Sequence, residues 1–458
     1  MDRLLKWVED GTVDTVIVAG IDLQGRLYGK RCAASAFLEG MSEGIHTCDC
    51  NFGWDIERIL IPDLAFTGWH TGYGDMVAVP DWSTTRLYPW FGKTALVLCD
   101  TCDHEGGLIP IAPRSILRGQ LRRAEKAGFT VKAASELEFF LFRETPESSR
   151  EKDYDKLNTI SKYIGDYCIF RSSMDEFLIG DLRRNLAMAG VDIECSKAEW
   201  GFGQHEVNLV YTEALEMADR HAIFKTGVRE MAALHGVQAT FMAKWHTDHS
   251  SSGCHVHMSL WKDDAPVFFD ANADGAPQCR PGAAERHMSK TMRYFLGGLM
   301  SLAGDFQLLY APLINSYKRY ADLTFAPTTV TWGGDNRTVA FRSCGHGQSM
   351  RVENRIPGAD VNPYLAYAAM IASGLYGIEN QIEPIGPYVS ANAYDLKDAP
   401  KLHRNLIDAT DAFESSALAR RLLGDDVVDH YASIARWEIK EFMRSVTDWE
   451  RRRYFELI

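Results

Sequence analysis

Glu136 and Glu138 stand two positions apart inside the apolar run Ala133 to Phe142, and three later segments carry matching donors: Glu199 with Glu206, His255 with His257, and Glu353 in Glu353-Asn354-Arg355. On a strand, residues two apart share a face at about 6 to 7 Å, so both carboxylates can line one cavity without crowding a single ion. Buried carboxylates stay ionised only when they are paired or bound to metal. The five glutamates and His255 would repel one another unless about two divalent ions compensated them. Magnesium or manganese suits such oxygen-rich ligation better than zinc.

On spacing alone, Glu199 and Glu206 read first as two surface glutamates flanking a loop, and the histidine pair as a core feature or a surface stripe. If one imidazole meets a metal, its neighbour is better suited to another atom of the same ligand, such as a phosphate oxygen, and Ser259 continues that face. Arg337, Arg342, Arg351 and Arg355 fall within nineteen positions around Glu353, and Arg319 precedes them in Asn315-Ser316-Tyr317-Lys318-Arg319. Basic clusters usually form a solvated face. Guanidinium groups also bind carboxylate and phosphate bidentately, and phosphoryl transfer needs that pairing of arginines with divalent cations. The chemistry these residues suggest is ATP-dependent activation of an acid.

The elements that must position these residues are legible in outline. A chain of 458 residues with 46% hydrophobic content is long enough for two or three domains. The net charge of -13 argues against a nucleic-acid backbone or an anionic membrane as the main partner. The N-terminus lacks a long apolar segment, so the cytoplasm is the expected location. Ten cysteines include Cys48, Cys50, Cys99 and Cys102, but no second Cys-x-x-Cys completes a zinc site, so reduced structural thiols are expected.

Residues 13 to 31 read as strand, turn and strand, which predicts a small β-rich N-terminal domain. Long ordered loops are expected between Cys48 and Trp90, then a short buried strand at Ala95 to Cys99. Gly106 to Pro110 marks a boundary before a helix that starts at Pro113 and stops at Gly128, dividing the chain into 1–106 and 107–458. Residues 143 to 156 predict a surface excursion, and helices are expected over 213 to 235, 285 to 303, 362 to 379 and 426 to 445. The fold class is α+β.

Taken in order, Glu136-Leu137-Glu138, Glu199 through Gly203-Gln204-His205-Glu206, Gly253-Cys254-His255-Val256-His257, Asn315 to Arg319, Asn336-Arg337-Thr338 to Arg342, and Arg351-Val352-Glu353-Asn354-Arg355 resemble the glutamine synthetase family. The resemblance covers nearly the whole chain, most securely residues 108 to 360. It implies a β-grasp-like N-terminal domain and a catalytic domain whose curved antiparallel sheet, with flanking helices, holds two or three Mg²⁺ or Mn²⁺ ions. By motif, Glu138, Glu199 and Glu206 match the ligands of one ion, and Glu136, His255 and Glu353 those of another. Glu194, His257, Ser259, Arg342 and Arg351 match nucleotide contacts; Arg319 and Arg355 match contacts to the acid, with Glu138 and Ser251 beside it. Arg337 resembles the arginine that stabilises the transferred phosphoryl group. The implied reaction is phosphorylation of the side-chain carboxylate of L-glutamate by ATP, then displacement of phosphate by an amine.

Two departures matter. Where ammonia-using members carry a glutamate soon after the tyrosine-lysine-arginine segment, this chain has Phe325. A carboxylate there would attract ammonium and accept its proton, whereas an aromatic ring packs against carbon, so an organic amine is expected as nitrogen donor. Ser250-Ser251 stands where the family usually has asparagine and glycine, and a side chain narrows that space, which leaves the acid less defined than the reaction. Asp55 and Tyr167 match amine-side contacts, with Asp49 an alternative to Asp55. Family members assemble as two stacked rings of six with sites between neighbouring subunits, and a dodecamer is the expectation here. The competing readings are an ammonia-using glutamine synthetase, a catalytically silent structural relative, and a kinase that phosphorylates a guanidino or amine group without forming an amide.

Overall fold

The computed structural model describes residues 1–273, 287–386 and 388–458. Strands β1 (Thr15–Ile21), β2 (Leu27–Ala33), β3 (Ile45–Cys48), β4 (Asp75–Pro80), β5 (Arg86–Leu87) and β6 (Thr94–Cys102) form one sheet in the order β2-β1-β6-β4-β3, with β5 on β6. β1 and β6 run parallel at its centre, and the flanking pairs are antiparallel. Alternate residues of a strand point to opposite faces, and in the central β1 and β6 both faces are largely buried. Val16, Val18, Ala95 and Val97 pack against Leu4 and Phe37 of two N-terminal helices, whereas Ala19, Ile21, Leu96 and Leu98 join the main core.

The second sheet contains β7 (Thr130–Phe142), β8 (Ile193–Ala198), β9 (Gln204–Leu209), β10 (Thr212–Glu213), β11 (Gln238–Thr240), β12 (Cys254–Lys262), β13 (Ala265–Pro266), β14 (Trp332–Gly334), β15 (Phe341–Cys344) and β16 (Arg351–Asn354). The order is β14-β15-β16-β12-β7-β9-β8, with β10 and β11 on β7 and β13 on β12. Its pairs are antiparallel, as expected, except β14 with β15, which run parallel at the edge. One face of β7 is apolar: Leu137 and Phe139 are fully buried, and Phe139 meets Phe224 of the helix Ala214–Leu234 edge-on at 6.2 Å between centroids. The opposite face carries Glu136 and Glu138, since successive strand residues point to opposite sides.

Helices occupy Ala214–Leu234, Pro363–Glu379 and Asp425–Arg444, close to the expected spans. The one expected from 285 begins at Lys290 and ends at Ser301, and the start of that span lies outside the described residues. Pro363 opens its helix at the first turn, and the Asn362 side chain accepts from Tyr364 N while donating to Leu23 O at 3.0 Å. That capping residue thus ties the N-terminal hairpin to the catalytic helices.

Some elements differ from expectation. The region between Cys48 and Trp90 contains β4, whose alternation was hidden among glycines and aromatics and whose strand form comes from pairing with β3 and β6. The strand expected at Ala95 to Cys99 is nine residues long and central. The 143 to 156 excursion holds a short helix, Pro146–Glu151, and buries Glu144 against Lys152. Helices Glu176–Met188, Leu406–Ser415 and Ala417–Leu423 were not anticipated.

Candidate active site

Strand register builds the site. Glu136 faces His255 on β12 and Asn208 on β9; Glu138 faces Glu206 on β9, which in turn faces Lys197 on β8; His257 faces Glu353 on β16, which faces Arg342 on β15. Directly paired residues present their side chains on one face, so donors from six strands form a single polar band. The loop between β8 and β9 adds Glu199. There Gly203 has φ +74, and a Cβ on it would lie 2.9 Å from Leu141 O, so the turn that returns the chain to Glu206 requires glycine.

Ligand oxygens of Glu138, Glu199 and Glu206 lie within 4.8 Å of one another, the one such cluster of three or more metal-type donors among the described residues. Glu138 is oriented from one side: its Oε2 accepts from Gln204 Nε2 at 2.9 Å and from Gly253 N at 2.8 Å. Burial, then the charges of Glu136, Glu138 and Glu199, push the Glu206 carboxyl up to about 11. Burial and Glu199 push Glu138 up as well. A trio so short of positive charge suits a divalent cation, which would displace the proton. Among the described residues the cation within ion-pairing distance of the trio is Lys197, which donates to Glu199, lies 3.9 Å from Glu206 and 3.1 Å from Asp166, and sits over the Tyr167 ring at 4.7 Å, while His255 and Arg319 act on Glu138 from farther off.

The second trio is tied differently. His255 Nδ1 is 2.8 Å from Glu136 Oε1 and 3.6 Å from Glu353 Oε1. Glu353 is fully buried and also takes Arg355 and, at 2.8 Å, Arg342. Burial raises the pKa of Glu136 and Glu353, but His255 beside Glu136 and Arg355 beside Glu353 outweigh it and hold both well below the usual carboxylate range. Glu136, His255 and Glu353 are therefore brought together, and the charge of Glu353 is already met by Arg342 and Arg355, in contrast to the Glu138 trio.

Glu194, His257, Ser259 and Arg351 line a cavity of about 310 Å³ that also reaches Glu136. Arg351 Nε donates to His257 Nδ1 at 3.1 Å, which leaves Nε2 facing Glu136 Oε2 at 3.4 Å. The sequence reading missed the aromatic end of this cavity: Tyr211 and Trp261 lie nearly parallel with centroids 6.5 Å apart, and Lys132 Nζ is 3.8 Å from the Trp261 centroid. Lys132 and Trp261 share the period-2 face of Glu136 and His257, a signal that was available in the sequence. Arg342 lies outside this lining, bound to Glu353 and to Asp335.

Arg319 is buried and donates to Ile356 O at 2.8 Å. Arg355 contacts Glu353, His255 and, at 3.4 Å, Phe325 O. Phe325 is 62% exposed and adopts φ 59, a left-handed backbone that turns its ring outward. Ser251 O accepts from Gln204 Nε2 at 3.0 Å, next to the Glu138 clamp. Arg337 is exposed in the loop after β14. Asp55 and Asp49 are engaged elsewhere: Asp55 accepts from Trp437 Nε1 at 3.0 Å, and buried Asp49 accepts from Thr67 Oγ1 at 2.6 Å. Tyr167 is brought in, beneath Lys197; Asp49 and Asp55 are not.

Residues 110–454 match the family model described as glutamine synthetase, catalytic domain. The chain is 42% identical to gamma-glutamylethanolamide synthetase of Streptomyces coelicolor, across 100% of this chain and 96% of the relative, and 40% identical to a glutamate–isopropylamine ligase of a Pseudomonas species, across 100% and 98%. A glutamine synthetase of Halobacterium salinarum is 36% identical over 83% of each chain. Among solved structures, ligand-free GmaS superposes with a TM-score of 0.84 at 29% identity, with 100% of both chains covered, and a GmaS–ADP complex also gives 0.84 at 28% identity, covering 99% and 100%. The chain belongs to the glutamine synthetase catalytic-domain family.

Proposed function

We propose that this protein is an ATP-dependent ligase that joins an organic amine to the γ-carboxylate of L-glutamate through a γ-glutamyl phosphate. The observation that carries the amine preference is Phe325, whose carbonyl touches Arg355 and whose ring stands exposed where ammonia-using members place a glutamate. An aromatic ring offers no base for ammonium but packs against the carbon of an alkylamine. The full-length similarity to relatives named for ethanolamide and isopropylamine products supports the same reading.

In this reading Glu138, Glu199 and Glu206 hold one divalent ion, and Glu136, His255 and Glu353 a second, with Mg²⁺ or Mn²⁺ the fitting choice for these donors. Bound ions supply electrostatic stabilisation of the transferring phosphoryl group. Tyr211 and Trp261 stack the base, while Glu194, His257, Ser259, Arg342 and Arg351 orient the rest of the nucleotide. Arg319 and Arg355 hold the acid, Gln204 and Gly253 keep Glu138 aimed at the reacting centre, and Arg337 closes on the phosphoryl group. Excluding water then protects the acyl phosphate until the amine attacks.

The division at 106/107, a cytoplasmic location and a two-ring dodecamer complete the proposal. The engagement of Asp49 and Asp55 away from the carboxylate trio supports an assembly in which the amine-side acid comes from a neighbouring subunit. Among the described residues no helix is long and apolar enough to cross a membrane. The test is an ADP-release screen with Mg²⁺ or Mn²⁺ in which acid and amine are varied independently, followed by mass identification of the product. A γ-glutamyl alkylamide formed in preference to glutamine is expected; a clear preference for ammonia would sink the amine assignment.

A further inference from the structure

A cavity of about 330 Å³ lies on the far side of the catalytic sheet from the carboxylate band, where the Leu23–Arg26 turn, the helix Ala214–Leu234 and the helix Asp425–Arg444 meet. Its walls are mostly hydrocarbon, from residues such as Phe241, Leu309, Leu365 and Ile434. Two cations enter it from one helix face, Lys225 and Arg229, four positions and thus about one turn apart. Lys225 is buried and its Nζ donates only to main-chain oxygens, at 2.7 Å to Ala359 O and 3.4 Å to Val361 O. Arg229 lies over the Phe241 ring at 5.5 Å. Among the described residues neither has a carboxylate within ion-pairing distance, whereas Arg26 at the cavity edge is already paired with Asp22 at 2.7 Å.

We infer that this cavity is a second ligand site, for a small carboxylate with an apolar body, whose anionic head pairs with Lys225 and Arg229 while its hydrocarbon lies against the Phe241 and Leu365 wall. Charge complementarity selects the head group, because guanidinium and ammonium on one helix face bind a carboxylate from two sides. The apolar walls select the body, since a fully polar acid would leave them wet. Burial, then the charge of Arg229, pushes the Lys225 ammonium down to about 8; Asp360 in the cavity wall and Asp22 oppose that shift from beyond ion-pairing distance, and burial pushes the Asp360 carboxyl itself up, so neither is a full counterion. Glu438 does not supply one: burial and then Asp55 push its carboxyl up, toward the neutral form.

The site also has a physical connection to the reaction centre. The carbonyls held by Lys225 flank Asp360, whose Oδ2 accepts from Ser316 Oγ at 2.5 Å, three residues before Arg319. Ala359 N donates to Ser252 O at 3.1 Å, beside Ser251. A carboxylate that draws Lys225 off these carbonyls loosens the support of Arg319, so occupancy is expected to raise the KM for the acid at least threefold. That coupling rests on the ligase reading; binding does not.

The test uses the full-length protein and 4-methylpentanoate, with its amide as the uncharged match, in titration calorimetry with and without saturating L-glutamate. The inference expects the acid to bind at least tenfold tighter than the amide, saturating L-glutamate to weaken that binding by no more than the roughly threefold that reciprocal coupling requires and not to displace it, and both Arg229→Gln and the cavity-filling Met242→Trp to weaken it at least tenfold. Met242 is 46% exposed, so the second variant does not depend on repacking the core. Equal binding of acid and amide, displacement by L-glutamate, or undiminished binding by both variants with unchanged melting temperatures would overturn it. If binding is as expected and the KM does not move, the coupling is overturned and the site stands. Failure of every acid and amine to give turnover would count against the ligase reading alone.

Discussion

Lys197 and Glu206 are direct partners across β8 and β9, and the lysine Nζ stands 3.9 Å from Glu206 Oε2 while donating to Glu199. The ammonium occupies the position of positive charge beside the carboxylate trio, where it competes with a divalent ion. Lys197→Gln removes the competitor and is expected to tighten Mn²⁺ binding by about tenfold, as measured by calorimetry on the nucleotide-free protein. Weaker binding would mean instead that the lysine holds the carboxylates in place.

Glu206 tests the same cluster from the other side. With its carboxyl pushed up to about 11 without metal, it is protonated at neutral pH, and a glutamine is nearly isosteric with that form. Glu206→Gln should keep the metal-free melting temperature within about 2 °C of the parent, lose the upward shift produced by Mn²⁺, and abolish turnover. A metal-induced shift that survives would remove Glu206 from the ligand set.

Phe325 should decide the nitrogen donor. Phe325→Glu restores a carboxylate beside Arg355, and the ratio of ammonia use to alkylamine use is expected to rise at least about tenfold. The readout is competition between the two amines, with products separated by mass. An unchanged ratio would place amine selection elsewhere, with Tyr167 and Asp166 the next residues to vary.

Trp261 carries the nucleotide prediction. Its ring is partner to Tyr211 and to Lys132, so Trp261→Ala should weaken ADP binding by about tenfold, the typical worth of one base stack. Mn²⁺ binding in the absence of nucleotide should be unaffected. Loss of both would point to a collapse of β12.

His430 gives stability a pH dependence separate from the reaction centre. It is buried against Phe66 on the helix Asp425–Arg444, hydrogen-bonds the Phe52 main chain, and has Nε2 without a partner. Burial pushes its pKa down to about 4 from 6.5, so between these values the unfolded chain binds the proton and the folded one does not. The stability present above pH 6.5 is therefore lost as pH falls toward 4, by up to about 3 kcal/mol. In His430→Phe that slope should shrink, as followed by denaturant unfolding at pH 7 and pH 5.

Period and residue type made the two carboxylates of β7, the histidines of β12 and Glu353 legible as one donor set, because strand geometry fixes which side chains share a face whatever the sheet around them. The same arithmetic was open for Lys132 and Trp261 but points to no chemistry until Tyr211 lies opposite. Motif order also carried the family and the expectation of an organic amine. Strand neighbours were another matter. That Glu138 meets Glu206 and then Lys197, or that Glu353 is balanced by Arg342 and Arg355 while the Glu138 trio has Lys197 alone within ion-pairing distance among the described residues, depends on register between segments as much as 96 positions apart. No local pattern encodes that register. Strand β4 and the helix Glu176–Met188 were hidden for the same reason: their form comes from the surfaces they cover. The sequence alone determined which groups can bind cations, phosphate and acid; the tertiary structure decided which carboxylates lack a counter-charge, since charge balance is a property of neighbours in space rather than in the chain.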